Sequence, residues 1–423
     1  MSHRPVELDM TAFESVVDAG AEHRWRIFAS ALVIQVTISV VTQAFPALAP
    51  FAKSDLGLST AGVGVFATIL NLGTMLALLP AGWAVDVLGE RRVLVVGGLV
   101  TGALAGLVSL APRFVIVVPL LILVGLAAAT PTPAGSTAVI TAFAPRDRGL
   151  VMSLRQTGIP IGGAVAALVL PPVAVVFGWR RALVVAAALA ILGAVAGLLI
   201  VRGASRAPLV PVSIGEPGSW RSVATRNATY VGMASVFLAL GQFVLASYIA
   251  LYLLEVFGMP LTVGSLFLVA ANLGGIVGRV AWGAVSDRLF GGRRKAPLIV
   301  VSLSAASGFG LLATLPASTP PGLMLALVVG LGTTVIGWNG IYITLLSEIA
   351  SPAKRGRSVA YGMMLTQIGI FAGPVAFGTL VQLTTSYRLA WAAVAGSLVV
   401  AAALVRQVSE TPGEGLRRGP AER

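Results

Sequence analysis

Long apolar runs, parted by short charged or Gly/Pro-rich breaks, fill this chain from end to end. Twelve read as membrane-crossing helices, at about 26–50, 61–85, 93–111, 115–144, 150–177, 182–201, 228–254, 262–286, 296–316, 321–349, 357–384 and 389–406. A hydrocarbon core of about 30 Å takes roughly 17–25 such residues per helix. The one long polar connection runs from Arg202 to Arg226 and holds Pro208, Pro211 and Pro217. The pattern predicts an all-α polytopic membrane protein with twelve transmembrane helices in two six-helix bundles. Its pieces are a tail over 1–25, a bundle over 26–201, a linker over 202–227, a bundle over 228–406 and a tail over 407–423.

The second half repeats the first. NLGTMLALLPAGWAVD (Asn71–Asp86) lies on NLGGIVGRVAWGAVSD (Asn272–Asp287) at an offset of 201, and VGLAAAT from Val124 lies on VGLGTTV from Val329 at 205. Pro145, Arg148 and Gly149 match Pro352, Arg355 and Gly356 at 207, and Gln156, Gly158 and Gly162 match Gln367, Gly369 and Gly373 at 211. An ordered series with a slow drift is what loop insertions produce, and an even number of helices gives both copies one membrane orientation. The sixth run has no polar side chain, and the third and twelfth have few; the ninth, with several serines, fits least well. The others carry Gln35, Ser39, Thr42, Asn71, Thr130, Thr132, Gln242, Tyr248, Asn272, Trp338, Asn339, Tyr342 and Gln367 near their middles. Eight helices are thus expected around a polar path, with four outside. The GxxxG pairs Gly158/Gly162 and Gly369/Gly373 read as helix-packing faces, and Pro160, which lacks a donor, frees a carbonyl and predicts a bend.

Composition fixes the class: 57% of residues are apolar and 11% charged, against about 25% charged in soluble domains. The net charge of +13 comes as twos and threes between apolar runs, which argues against a nucleic-acid partner. With the N-terminus inside, 22 of the 29 Lys and Arg fall on the cytoplasmic side, as the positive-inside rule requires. The expected location is the cytoplasmic (plasma or inner) membrane, multi-pass, with both termini cytoplasmic and an uncleaved first span. There is no cysteine, and the two histidines, His3 and His23, precede the first span. No catalytic residue, metal site or cofactor is expected.

The segment GWAVDVLGERR, Gly82 to Arg92, sits between the second and third runs, and GAVSDRLFGGRRK, Gly283 to Lys295, is its copy with an insertion. This spacing of Gly, Asp, Gly and a basic pair is similar to the signature loop of the major facilitator superfamily, and the resemblance covers residues 25–406. Val87 stands where that signature has a basic residue. The resemblance implies secondary transport by alternating access, with a latch that shuts one access state. Its gating candidates are Gly82, Asp86, Arg91 and Arg92, and in the copy Gly283, Asp287, Arg288 and Arg293. An aspartate beside arginines suits a charge-assisted latch, and Gly82 leaves room for a neighbouring helix.

Two basic residues remain inside spans, Arg155 and Arg279, and none of the sixteen acids lies near mid-span. Arg155 is seven residues past Arg148, roughly 10 Å deeper at ~1.5 Å per residue. Its counterpart is Thr366 and that of Arg279 is Leu78, so the repeated scaffold demands neither. A membrane charge costs about 2–3 kcal/mol or more unless it snorkels or lines water. The simplest neutraliser is the cargo, a small organic anion paired with Arg155 or Arg279, with Gln35, Asn71, Gln156, Gln242, Asn272, Trp338, Asn339, Tyr342 and Gln367 lining its site. Snorkelling of Arg155, or Arg279 bracing the latch near Asp287, is the plainer alternative. The partners are then a small-molecule substrate with or without a coupling ion, and the lipid bilayer; the chain is expected to be a monomer. The competing functions are a proton-driven multidrug or sugar-type efflux transporter of the same fold, an intramembrane enzyme, for which no base or acidic pair is present, and a non-cycling receptor.

Overall fold

A computed structural model of the chain describes residues 10–143, 148–200, 224–350 and 355–409. Positions 1–9 and 410–423 of the two tails, and the linker up to 223, lie outside the described residues. The described residues form sixteen α-helices and no strands. In chain order these are α1 Met10–Asp55, α2 Thr60–Thr68, α3 Leu70–Leu88, α4 Glu90–Leu110, α5 Phe114–Ala128, α6 Pro131–Ala142, α7 Arg148–Gln156 and α8 Gly158–Phe177. There follow α9 Trp179–Ile200, α10 Arg226–Phe257, α11 Leu261–Arg288, α12 Lys295–Thr314, α13 Pro321–Val335, α14 Asn339–Glu348, α15 Arg355–Thr384 and α16 Tyr387–Arg406. Twelve crossings long and apolar enough to span a membrane result. α1 starts at Met10, so the described part of the polar first segment is helix, not an irregular tail.

Sixteen helices make twelve crossings because four crossings are broken: α2/α3 at Ile69, α5/α6 at 129–130, α7/α8 at Thr157 and α13/α14 at 336–338. Prolines and a glycine explain three of them. Pro160 has no N–H, so Gln156 O loses its helical donor and α7 stops at Gln156. Pro131 takes the first position of α6, where a missing N–H costs nothing. At Gly337 any Cβ would lie 2.1 Å from Thr333 O and 3.0 Å from Gly278 Cα, so this break is pressed against α11. At the unbroken ends capping is conventional: Thr225 accepts Ala228 N–H at the start of α10, and Gly258, at φ 67°, closes it in the left-handed conformation.

The two halves pack by one plan. α1 lies on α8 and α9, and α10 on α15 and α16; α4 lies on α9 and α12 on α16; α3 lies on α5 and α11 on α13. The predicted glycine faces make two of these contacts close. A Cβ on Gly162 would stand 2.6 Å from Val36 O, and one on Gly369 would stand 1.9 Å from Val236 O. Contacts between halves pair α2 with α15, α8 with α11 and α1 with α10. The third, sixth, ninth and twelfth crossings (α4, α9, α12 and α16) make their main contacts within their own half, and α4 and α9 turn Val96, Leu107 and Leu192 outward.

Candidate functional site

Arg155 lies in the last turn of α7 beside the first-half helices α1 and α6, and is 1% exposed. Nη1 donates to Gln35 Oε1 at 3.0 Å and to Pro131 O at 3.2 Å, and Nη2 donates to Ser136 Oγ at 3.1 Å. Gln35 Nε2 donates in turn to Ser39 Oγ at 3.3 Å, which turns its carbonyl oxygen toward the guanidinium. Gly135 makes the space, since a Cβ there would come 2.8 Å from Nη1. Among the described residues Nε is buried with no acceptor, and three bonds to them leave two of the five guanidinium N–H groups unused. No carboxylate pairs with Arg155 among the described residues, whose ion pairs include Lys53–Glu255, Arg180–Asp55, and Arg294 with Asp287 and Glu348. Arg155 does not snorkel; it is enclosed by neutral acceptors.

The second half builds a corresponding node without a charge. Thr366 Oγ1 lies 2.8 Å from Ser235 Oγ and 3.1 Å from Tyr342 Oη. Next to it, Gln242 Oε1 accepts Trp338 Nε1 at 3.1 Å and Asn339 Nδ2 at 3.5 Å. Trp338 and Tyr342 pack in a tilted pair with ring centroids 4.9 Å apart and are nearly inaccessible, so they wall the site and leave the polar surface to Gln242 and Asn339. Asn272 donates to Leu268 O at 2.9 Å, and its Oδ1 would be 2.6 Å from a Cβ on Gly163 of the other half. Asn71 donates to Thr68 O at 3.1 Å beside the Ile69 break, and Gln367 is half-buried.

Arg279 is not gathered with Arg155. Its Nε donates to Ile336 O at 3.2 Å in its own half, and its Nη1 crosses to Gln156 O at 2.7 Å. It therefore braces two helix breaks and makes no contact with Asp287. The Gln156 side chain is half-buried, and the contact made by this residue is through its backbone oxygen.

At the expected latch the copy departs from prediction. Asp287 pairs with Arg294 at 2.5 Å, which also reaches Glu348 at 3.6 Å and Ser286 Oγ at 2.8 Å. Arg288 and Arg293 point outward, because Gly291 and Gly292, at φ 59° and 76°, reverse the chain and present Arg294 to the aspartate. Gly283 meets nothing within 4 Å of a built Cβ, so it admits no neighbouring helix. In the first copy Arg91 is half-buried and Arg92 exposed, while the surroundings of Gly82 and the side chain of Asp86 lie outside what is described.

The opposite end is tied between halves by groups the sequence reading did not single out as a site. Lys53 Nζ meets Glu255 Oε1 at 2.6 Å across the halves, and within the second half Tyr387 Oη donates to Glu255 Oε2 at 2.8 Å. Tyr248 Oη lies 2.8 Å from Thr60 O and 3.0 Å from Pro374 O. A signal was present: Lys53 and Glu255 are opposite charges at nearly the repeat offset, 202 apart.

Residues 27–374 match the family model described as Major Facilitator Superfamily. The chain is similar to an uncharacterized MFS-type transporter of Mycobacterium tuberculosis, 28% identical over 88% of this chain and 82% of that one. It is also similar to the hexuronate transporter of Bacillus subtilis, 25% identical over 84% and 87%. Among solved structures, a bacterial homolog of the human lysosomal transporter Spinster, inward-facing and occupied, superposes with a TM-score of 0.74 at 18% identity, covering 94% of this chain and 99% of that one.

Proposed function

The chain belongs to the major facilitator superfamily and is a multi-pass membrane transporter, not an enzyme; from that premise we propose that its cargo is a small organic anion bound at Arg155. The transport is by alternating access between the halves 26–201 and 228–406, in the cytoplasmic membrane, with both termini cytoplasmic and the chain a monomer. The observation that carries the anion is the buried Arg155, with Nε unpartnered and no acid beside it among the described residues. Nε and Nη2 form the edge of a guanidinium that takes a carboxylate in two parallel bonds. A charge left unpaired in the membrane is costly, so an anion arriving there gains what the empty carrier lacks. The hexuronate transporter among its relatives carries an organic anion by name. Gln242, Asn339, Asn71, Asn272 and Gln367 supply the remaining polar contacts, and the site is reached only as the halves part.

The test is thermal stabilisation of the purified protein across hexuronates, small carboxylates, neutral sugars and lipophilic cations, for wild type, Arg155→Lys and Arg155→Ala. Stabilisation by carboxylates, weakened in the lysine variant and lost in the alanine variant, is expected. Carboxylates that stabilise Arg155→Ala as well as wild type, or stabilisation by lipophilic cations alone, would overturn the assignment and favour an efflux transporter.

A further inference from the structure

Arg279 needs a separate account. Among the described residues, its bond that leaves its own half is the 2.7 Å one to Gln156 O, and that acceptor exists because of a proline. In an uninterrupted helix Gln156 O would accept the N–H of residue 160, and residue 160 is Pro. The same guanidinium holds Ile336 O at 3.2 Å. Gln156 ends α7 and Ile336 lies between α13 and α14, so one arginine clamps a broken crossing of each half. Its repeat counterpart is Leu78, so the clamp is particular to this side of the molecule.

We infer that Arg279 is the strut that holds the two halves together in this state, and that Pro160 makes its socket. A rigid-body parting of the halves moves α11 away from α8 and must break the bond to Gln156 O, while the bond to Ile336 O, within one half, survives. Releasing it leaves Gln156 O without a helical donor and Nη1 without an acceptor, both of which favour reclosure. The strut thus sets the balance between access states whatever the cargo is, and a failure of the anion reading at Arg155 leaves it standing.

The chain has no cysteine, so a pair of introduced ones reports without background. Val87 and Leu289, 58% and 76% exposed, sit in opposite halves near the ends of α3 and α11. Val87→Cys and Leu289→Cys, spin-labelled in proteoliposomes, give the distribution of distances between the halves by pulsed dipolar spectroscopy. With Arg279→Gln the ratio of close to parted molecules is expected to fall about tenfold, in line with loss of one charge-assisted bond. With Pro160→Ala, which returns a competing N–H to Gln156 O, it should fall about threefold. Combining the two should do no more than Arg279→Gln alone, because both act on one bond. An unchanged distribution in either single variant, or shifts that add in the double variant, would overturn the strut. Pro160→Ala restores a helical donor, so it keeps the test decisive if Arg279→Gln fails to fold.

Discussion

The two halves solve one packing problem with different chemistry. In each, a residue of the fifth crossing of the repeat reaches across to its first and fourth crossings. In the first half Arg155 meets Gln35 and Ser136; in the second Thr366 meets Ser235 and Tyr342. The pairs Gln35/Ser235, Ser136/Tyr342 and Arg155/Thr366 are 200, 206 and 211 apart, which is the drift of the repeat itself. The scaffold therefore fixes where three side chains converge and leaves open whether they carry charge. Both halves also hand the same backbone oxygen to an arginine, since Pro131 O and Ile336 O are 205 apart. The donors differ: Arg155 comes from the fifth crossing and Arg279 from the eighth. A carbonyl at a helix break is a site that a cation on any neighbouring helix can fill.

Converting the first node into the second is the change with the largest expected effect. Arg155→Thr should lower affinity for a carboxylate cargo at least about thirtyfold, because truncating one partner of a buried charge pair costs about 2–5 kcal/mol. The reciprocal Thr366→Arg should not create a second anion site, because Ser235 and Tyr342 offer one hydroxyl each where Arg155 has an amide, a carbonyl and a hydroxyl. Isothermal titration of the two variants with one carboxylate distinguishes these outcomes, and equal affinities would show that the nodes are interchangeable.

A glycine pair sharpens the comparison at the next level. Gly135 is the floor under the Arg155 guanidinium, whereas its counterpart Gly340, 205 residues on, has nothing within 4 Å of a built Cβ. Gly135→Ala should push the guanidinium off its three acceptors and destabilise the protein by about 1–3 kcal/mol. Gly340→Ala, in the first turn of α14, should be neutral or stabilising by about 0.4–1 kcal/mol, through the unfolded chain's lost freedom. Thermal unfolding in one detergent checks both, and equal shifts would mean that the pocket around Arg155 yields more readily than its packing indicates.

These asymmetries show what a sequence carries and where it stops. The twelve crossings are legible because hydropathy is a local property, and the repeat because paired insertions leave the order of matches intact. The packing roles of Gly162 and Gly369 were legible from spacing, and so was the carbonyl freed by Pro160. What was not legible is who takes that carbonyl, because backbone oxygens occur at every residue and carry no identity. Arg279 was singled out as a charge, yet its acceptors are both backbone atoms. Similarly, Arg288, Arg293, Arg294 and Lys295 are equivalent on paper, and only the reversal at Gly291–Gly292 selects Arg294 for Asp287. The interruption at Ile69 has neither proline nor glycine at the break to announce it, and we have no physical account of it.

The smallest effect is expected at the end of the molecule where Lys53 and Glu255 meet. They occupy matching ends of α1 and α10, with side chains 29% and 35% exposed, and partly solvated pairs of this kind contribute about 0–1 kcal/mol. Glu255→Gln should therefore lower the melting temperature only slightly, and less at high salt, where the wild-type pair is itself screened. Tyr248, whose hydroxyl sits between Thr60 O and Pro374 O, carries more of this closure. Tyr248→Phe removes the one O–H that these two carbonyls share across the halves, and loss of such a hydrogen bond costs about 0.5–1.5 kcal/mol. Exchanging the charges, Lys53→Glu with Glu255→Lys, should restore the pair but not the Tyr387 hydrogen bond, because an ammonium cannot accept it. If the exchanged protein falls below the wild type by as much as Tyr387→Phe does, the loss belongs to the tyrosine bond and not to the ion pair. This end is then held chiefly by tyrosine hydroxyl contacts, with the ion pair a minor part of it.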